Sequence, residues 1–154
     1  MTKSTHPRNR MGQLSRWRRW EIYVVGSLGW ATGALWLLYH YFVRVEDKLG
    51  FEAPHPLEHW WLVLHAAASF CAIWIFGVLW PIHVKRSWKA KIRRLTGGAL
   101  FGVTTWLTLT GFALYYIGSD TWRSLTSISH WAVGLAALAV FLWHLLTRAA
   151  HHPH

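Results

Sequence analysis

Four long apolar stretches take up most of this 154-residue chain, and little sequence is left for anything else. They run from about Trp20 to Val43, Trp60 to Trp80, Thr96 to Ile117 and Leu125 to Leu146. Each is close to the ~20 helical residues needed to cross a ~30 Å hydrocarbon layer. With 53% hydrophobic residues and 13 Trp, the chain reads as one compact unit with no sizeable soluble domain. The expected fold is an all-α, integral membrane four-helix bundle, up-and-down, with three parts. Residues 1–19 form a basic cytoplasmic tail, 20–147 the four-transmembrane-helix domain, and 148–154 a His-rich cytoplasmic tail.

The charges predict the orientation. Thirteen of the 16 Lys and Arg lie before the first stretch, in the connection between the second and third, or after the fourth. They are Lys3, Arg8, Arg10, Arg16, Arg18, Arg19, then Lys85, Arg86, Lys89, Lys91, Arg93, Arg94, and finally Arg148. The other two loops hold Arg44, Lys48 and Arg123, together with five of the six acids: Glu46, Asp47, Glu52, Glu58 and Asp120. By the positive-inside rule both termini belong in the cytoplasm. Trp17, Trp20, Trp80 and Trp88 anchor the inner side, and Trp60, Trp61 and Trp122 the outer. The same distribution argues against nucleic-acid binding despite a net charge of +10, because the basic residues sit at span ends. The first stretch is too long for a cleavable signal and lacks a clear small-residue cleavage site.

Histidine placement points to chemistry. The second stretch region carries His65 and His83, eighteen residues apart, and the fourth carries His130 and His144, fourteen apart. At about 100° per residue, eighteen steps return to one helix face and fourteen fall short by roughly 40°. Histidine is costly in lipid, so such pairs are expected to have a function. The second and fourth spans run in the same direction, which puts His65 level with His130 near the outer side and His83 level with His144 near the inner. Two neutral imidazoles can take both axial positions of a haem iron, and a helix-bundle core is a usual place for that. The pattern therefore suggests two haems, one above the other. The rises between the histidines, about 27 Å and 21 Å, differ; helix tilt or a bend at Pro81 would absorb the mismatch. The plain alternative for each of the four is a buried, hydrogen-bonded histidine.

Small residues follow the same faces: Ser69 and Ala72 after His65, Gly134 and Ala137 after His130. Phe76 and Phe141 fall between the two histidine levels. Gly29, Gly33, Gly98, Gly102 and Gly111 in the other two spans let helices approach a cofactor edge, or serve simple helix packing. Lys85, Arg86 and Arg148 near the inner pair, and Arg44 and Arg123 near the outer, are candidate propionate partners; topology alone also explains them. His40 sits at a depth similar to His65 and His130. It is read as a non-ligand that lines a quinone site or simply reaches headgroups, with replacement of one of them as ligand as the alternative. His55 and His59 lie in the outer loop, where proton exchange is one use. His6, His151, His152 and His154 lie in the tails. The lone Cys71 excludes an internal disulfide, a cysteine-ligated cluster and paired-cysteine haem attachment within the chain. No catalytic triad, phosphate loop or zinc-protease motif is present, and the histidine pairs are too far apart to form one zinc site. No clear repeat stands out beyond the two-histidine arrangement of spans two and four.

The segments LHAAASFCAIWIFGVLWPIHVKRSW (64–88), TGGALFGVTTWLTLTGFALYY (96–116) and SISHWAVGLAALAVFLWH (127–144) resemble the bacterial di-haem cytochrome b families with four helices. These include the cytochrome b561 group and the b-type subunits of hydrogenases and formate dehydrogenases. The resemblance covers roughly 20–147 and carries no strict signature; the eighteen-residue histidine spacing is longer than is common there. It implies two haem b groups, ligated by His65 with His130 (outer iron) and His83 with His144 (inner iron), and electron exchange with quinone. The expectation is a multi-pass cytochrome of the bacterial inner membrane that carries electrons between the quinone/quinol pool and a periplasmic or membrane redox partner protein. It would act alone as a quinol-linked reductase or as the cytochrome b subunit of an oxidoreductase complex in a respiratory chain. A non-redox membrane anchor or a haem/metal transporter is the competing reading.

Overall fold

The computed structural model describes residues 14–91 and 94–149, with side chains to residue 147. The expectations attached to Lys3, His6, Arg8, Arg10, Arg93, His151, His152 and His154, and to the Arg148 side chain, lie outside the described residues.

The chain is all-helical apart from one small hairpin. Helix α1 spans Arg16–Phe42. Strands β1 (Arg44–Glu46) and β2 (Glu52–Pro54) pair antiparallel, with Val45 opposite Ala53. Helix α2 (Pro56–Leu79) runs through a π-helical turn at Trp80–Val84 into α3 (Lys85–Lys89). Helices α4 (Arg94–Tyr116) and α5 (Asp120–Ala149) complete the bundle. Four helices, counting Pro56–Lys89 as one, are long and apolar enough to cross a membrane.

Local chemistry explains the boundaries. The Ser15 hydroxyl caps α1 by accepting from the Arg18 backbone N–H at 3.3 Å, a contact typically worth about 1 kcal/mol. The hairpin was expected only as a loop. Asp47 closes it: its Oδ1 accepts from the N–H groups of Leu49 (2.8 Å) and Phe51 (2.9 Å), and Gly50 takes φ +80°. His55 caps α2 through Nδ1, which accepts from the Leu57 N–H at 3.1 Å, with Pro56 in the first helical position.

The second helix does not stop near Pro81 as its sequence suggests. Proline in a helix interior removes one hydrogen bond and presses its ring on the carbonyl four residues back, at a cost of about 3 kcal/mol. Here the turn widens instead, and the Lys85 N–H bonds to the Trp80 carbonyl, five residues back. The widened turn contains His83, so eighteen residues from His65 no longer return to the same helix face as they would in an unbroken α-helix.

The helices pack as two antiparallel hairpins, α1 with α2 and α4 with α5, and the hairpins meet less closely than their own members do. Tyr23 meets Phe141 edge to face at 6.1 Å, and the Trp30 Nε1–H reaches the Leu135 carbonyl at 3.5 Å, joining α1 to α5. Phe76 and Trp80 lie against Phe101 at 5.6 and 5.5 Å, joining α2 to α4. Phe76 and Phe141, both placed by sequence between the histidine levels, thus link the hairpins.

Burial is inverted relative to a water-soluble bundle. Among the described residues no hydrophobic side chain is buried, whereas Thr32, Thr96 and Thr110 are. Large apolar side chains face outward instead, as with Trp74 (76% exposed) and Phe70 (72%) on α2. Water-soluble domains do not leave this much contiguous apolar surface uncovered.

Candidate metal centre

The first expected pair is assembled. His65 on α2 and His130 on α5 face each other between the hairpins, ring centres 6.2 Å apart and planes at 86°. Both rings are half-buried. His65 Nδ1 lies 2.9 Å from the Gly29 carbonyl oxygen on α1. A carbonyl only accepts, so Nδ1 carries the proton and Nε2 keeps its lone pair. His130 Nδ1 lies 2.9 Å from Thr110 Oγ1 on α4, and that hydroxyl is 2.7 Å from the Trp106 carbonyl. The hydroxyl's one proton goes to the carbonyl, so its oxygen accepts from His130 Nδ1–H. Both imidazoles are therefore held in the same tautomer, with Nε2 free to bind a metal.

The spacing of this pair is compatible with two imidazoles on one metal ion. A metal–imidazole bond is about 2 Å and the ring centre lies about 1 Å further, so two trans imidazoles have centres about 6 Å apart. The observed 6.2 Å matches that span. No group of three or more His, Cys, Asp or Glu converges among the described residues, so the arrangement on offer is pairwise.

Glycines make room for the rings. A Cβ on Gly33 would sit 2.9 Å from His65 Cε1, and one on Gly111 3.2 Å from His130 Cε1. The other small residues named from sequence serve differently. The Ser69 hydroxyl is spent on the His65 carbonyl at 2.8 Å, Gly134 packs near Leu107, Gly98 near Trp88, and Gly102 meets no side chain. Gly29 supplies the carbonyl to His65 and approaches Ala68.

At the opposite, basic end, His144 on α5 has Nδ1 3.1 Å from Thr96 Oγ1, with Gly97 beside its ring. His83 lies half-buried in the π turn. Lys85 and Arg86 follow on exposed positions at this end, while Arg44 opens β1 and Arg123 lies in the first turn of α5 at the other. Arg94 closes the basic connection, donating to the Trp88 carbonyl at 2.9 Å and stacking over the Trp88 ring.

His40 belongs to a separate group at the hairpin end. Its Nδ1 lies 2.7 Å from Glu58 Oε1, and its ring stacks on Trp36 at 4.8 Å. Glu58 is largely buried, and its second oxygen, Oε2, has no hydrogen-bond partner. Beside it opens a cleft of about 440 Å³ lined by Trp36, Pro54, His55, Glu58, His59 and Leu62.

The residues that sequence reasoning passed over are Thr32, Thr96, Thr110 and Gly97. A signal for them exists. The chain contains three Thr-Gly steps, 32–33, 96–97 and 110–111, and each faces one of the histidines. Two of them lie in a repeat, LTGGALF (95–101) and LTGFALY (109–115). The chain therefore carries a short repeat besides the two-histidine arrangement of spans two and four. Comparisons with protein-family models, curated proteins and solved structures find no match to this chain.

Proposed function

We propose that this chain is a membrane-embedded b-type cytochrome with two haems, which moves electrons between a quinone/quinol and a redox partner protein. The observation that carries the reading is the His65–His130 pair: two imidazoles at bis-ligand spacing, each with its Nδ1 proton committed elsewhere. The uncovered apolar surface and the charge asymmetry support insertion in a bilayer with the basic end inside, as in a bacterial inner membrane.

His65 and His130 would hold one haem, and His83 with His144 the second. When bound, such a group supplies one-electron transfer, its potential set by axial ligands and their surroundings. The protein's own part is orientation. Gly29 and Thr110 fix the ring tautomers, Gly33 and Gly111 set how closely the rings approach their neighbours, and the helices exclude water. The hairpin-end cleft is the candidate quinone site: Glu58 lines it, His40 holds one Glu58 oxygen from behind, and the other, Oε2, is the group to take a proton from a hydroquinone hydroxyl.

The test is a reduced-minus-oxidised visible spectrum of the detergent-purified protein, with haem quantified per chain. Sharp low-spin b-type bands and two haems per chain are expected. Absence of haem after expression with ample haem supply would reject the cytochrome reading in favour of an anchor or transporter. His40→Ala is expected to keep both haems while slowing their reduction by a soluble hydroquinone at least tenfold, with dithionite reduction unchanged. Loss of a haem in that variant would instead make His40 a ligand.

A further inference from the structure

The repeat in α4 and the histidines of α5 share one number. Thr96 and Thr110 are fourteen residues apart, and so are His130 and His144. The pairs are antiparallel: Thr110 bonds His130 at 2.9 Å and Thr96 bonds His144 at 3.1 Å. Fourteen residues are two heptads, so the roughly 40° by which a straight helix misses the repeat is the drift that left-handed packing of two helices removes. The two contacts thus join the same groups at the same spacing along one seam, and at Thr110 the hydroxyl's bond to its own helix makes its oxygen the acceptor. In each, a buried threonine hydroxyl faces an imidazole Nδ1 and a glycine follows at the ring edge. The third Thr-Gly step repeats the logic on α1. The Thr32 hydroxyl and His65 Nδ1 both contact the Gly29 carbonyl, at 3.2 and 2.9 Å. These three threonines are the only buried residues among those described.

An accidental packing role explains this poorly. Threonine in an apolar helix satisfies its hydroxyl by bonding the carbonyl four residues back, and Thr104 and Thr108 do so with no histidine in the bonds they make. Thr110 makes that bond and, in addition, holds a histidine.

We infer that Thr96 and Thr110 are positioning residues, each setting the tautomer, and through it the redox potential, of a different metal centre. The inference rests on the cytochrome reading for the potentials, though not for the tautomer. A hydrogen bond accepted from Nδ1–H pushes electron density onto Nε2, which favours the oxidised metal and lowers the potential. Thr110 acts on the centre at the hairpin end and Thr96 on the one at the basic end, so the two centres are tuned independently by two copies of one device.

The experiment compares Thr110→Val, Thr110→Ser and Thr96→Val with wild type by potentiometric titration of the haem bands. Valine keeps the shape and removes the acceptor. Thr110→Val is expected to raise the potential of one haem by about 59 mV, the one-electron equivalent of a tenfold loss of preference for the oxidised form, and to leave the other unmoved. Thr96→Val moves the other haem, and Thr110→Ser restores the wild-type value. Unchanged potentials in both valine variants, or equal movement of both haems in either, overturns the inference. A second readout does not need haem: ¹⁵N NMR of His130 in the metal-free protein. A fixed Nδ1–H tautomer in wild type that becomes mixed in Thr110→Val supports the positioning role even if no haem binds and the cytochrome reading falls. The same tautomer ratio in both proteins overturns it even if the spectrum is that of a cytochrome.

Discussion

At the scale of residues, the site is two histidine–threonine contacts, a third histidine that shares the Gly29 carbonyl with a threonine, and one histidine–glutamate pair. The glycine contacts differ in tightness, and that difference is testable. Gly33→Ala places a Cβ 2.9 Å from His65 Cε1, on a half-buried ring tied by its Nδ1 to α1, so something must shift. Gly97→Ala meets His144 at 3.9 Å, an ordinary contact. If the two proposed haems bind, Gly33→Ala is expected to lose the one at the hairpin end and Gly97→Ala to keep both, as counted by haem per chain; equal haem content in the two variants would contradict this geometry. The histidines were legible in the sequence because imidazoles in apolar helices are rare and costly. Their threonine partners were not. A threonine in such a helix satisfies itself on its own backbone, so its presence alone carries no message. Only its pairing with glycine, repeated at the spacing of the histidines opposite, distinguishes it.

At the scale of elements, four helices were readable from length and hydropathy, and their ends were not. Caps extend them: α1 begins at Arg16 behind Ser15, and α5 begins at Asp120, whose acid in the first turn favours the helix dipole. Pro81 was read as an end or a bend, because proline normally breaks the hydrogen-bond ladder. Instead the ladder is rerouted by one residue, which a sequence pattern does not reveal. The rerouting sits directly at His83 and shifts its phase on the helix. Pro81→Ala allows the turn to tighten to an α-helix and rotates His83 about the axis. The basic-end haem is then expected to weaken while the hairpin-end haem keeps its band. An unchanged basic-end haem would mean that the π turn has no part in placing His83. The short β1–β2 hairpin was invisible because its three-residue strands are too brief to show alternation, yet Asp47 and Gly50 are the turn residues that close it.

At the scale of the whole molecule, two tight hairpins leave their histidines facing across the looser join. That arrangement suits a flat cofactor inserted between them, since neither hairpin needs to open. The inverted burial says where the rest of the surface belongs. In water, apolar side chains such as Phe70 and Trp74 would drive aggregation; in lipid they are at no disadvantage. Cys71 lies on the same outward, apolar surface in the middle of α2. A membrane-impermeant maleimide is expected not to label Cys71 in intact vesicles and to label it after denaturation in detergent. Labelling in intact vesicles would place that face in water. Which helices pair was readable only for the short connections; the α1–α5 and α2–α4 contacts depend on a few aromatic side chains that no local pattern announces.

The central claim is that His65 and His130 bind one metal group between them. The most direct measurement is haem per chain in His65→Ala and in His130→Ala, each purified beside wild type. The account predicts two haems in wild type and one in either variant, with the same absorption band missing from both. Two haems retained in either variant, or different bands lost from the two, would contradict it.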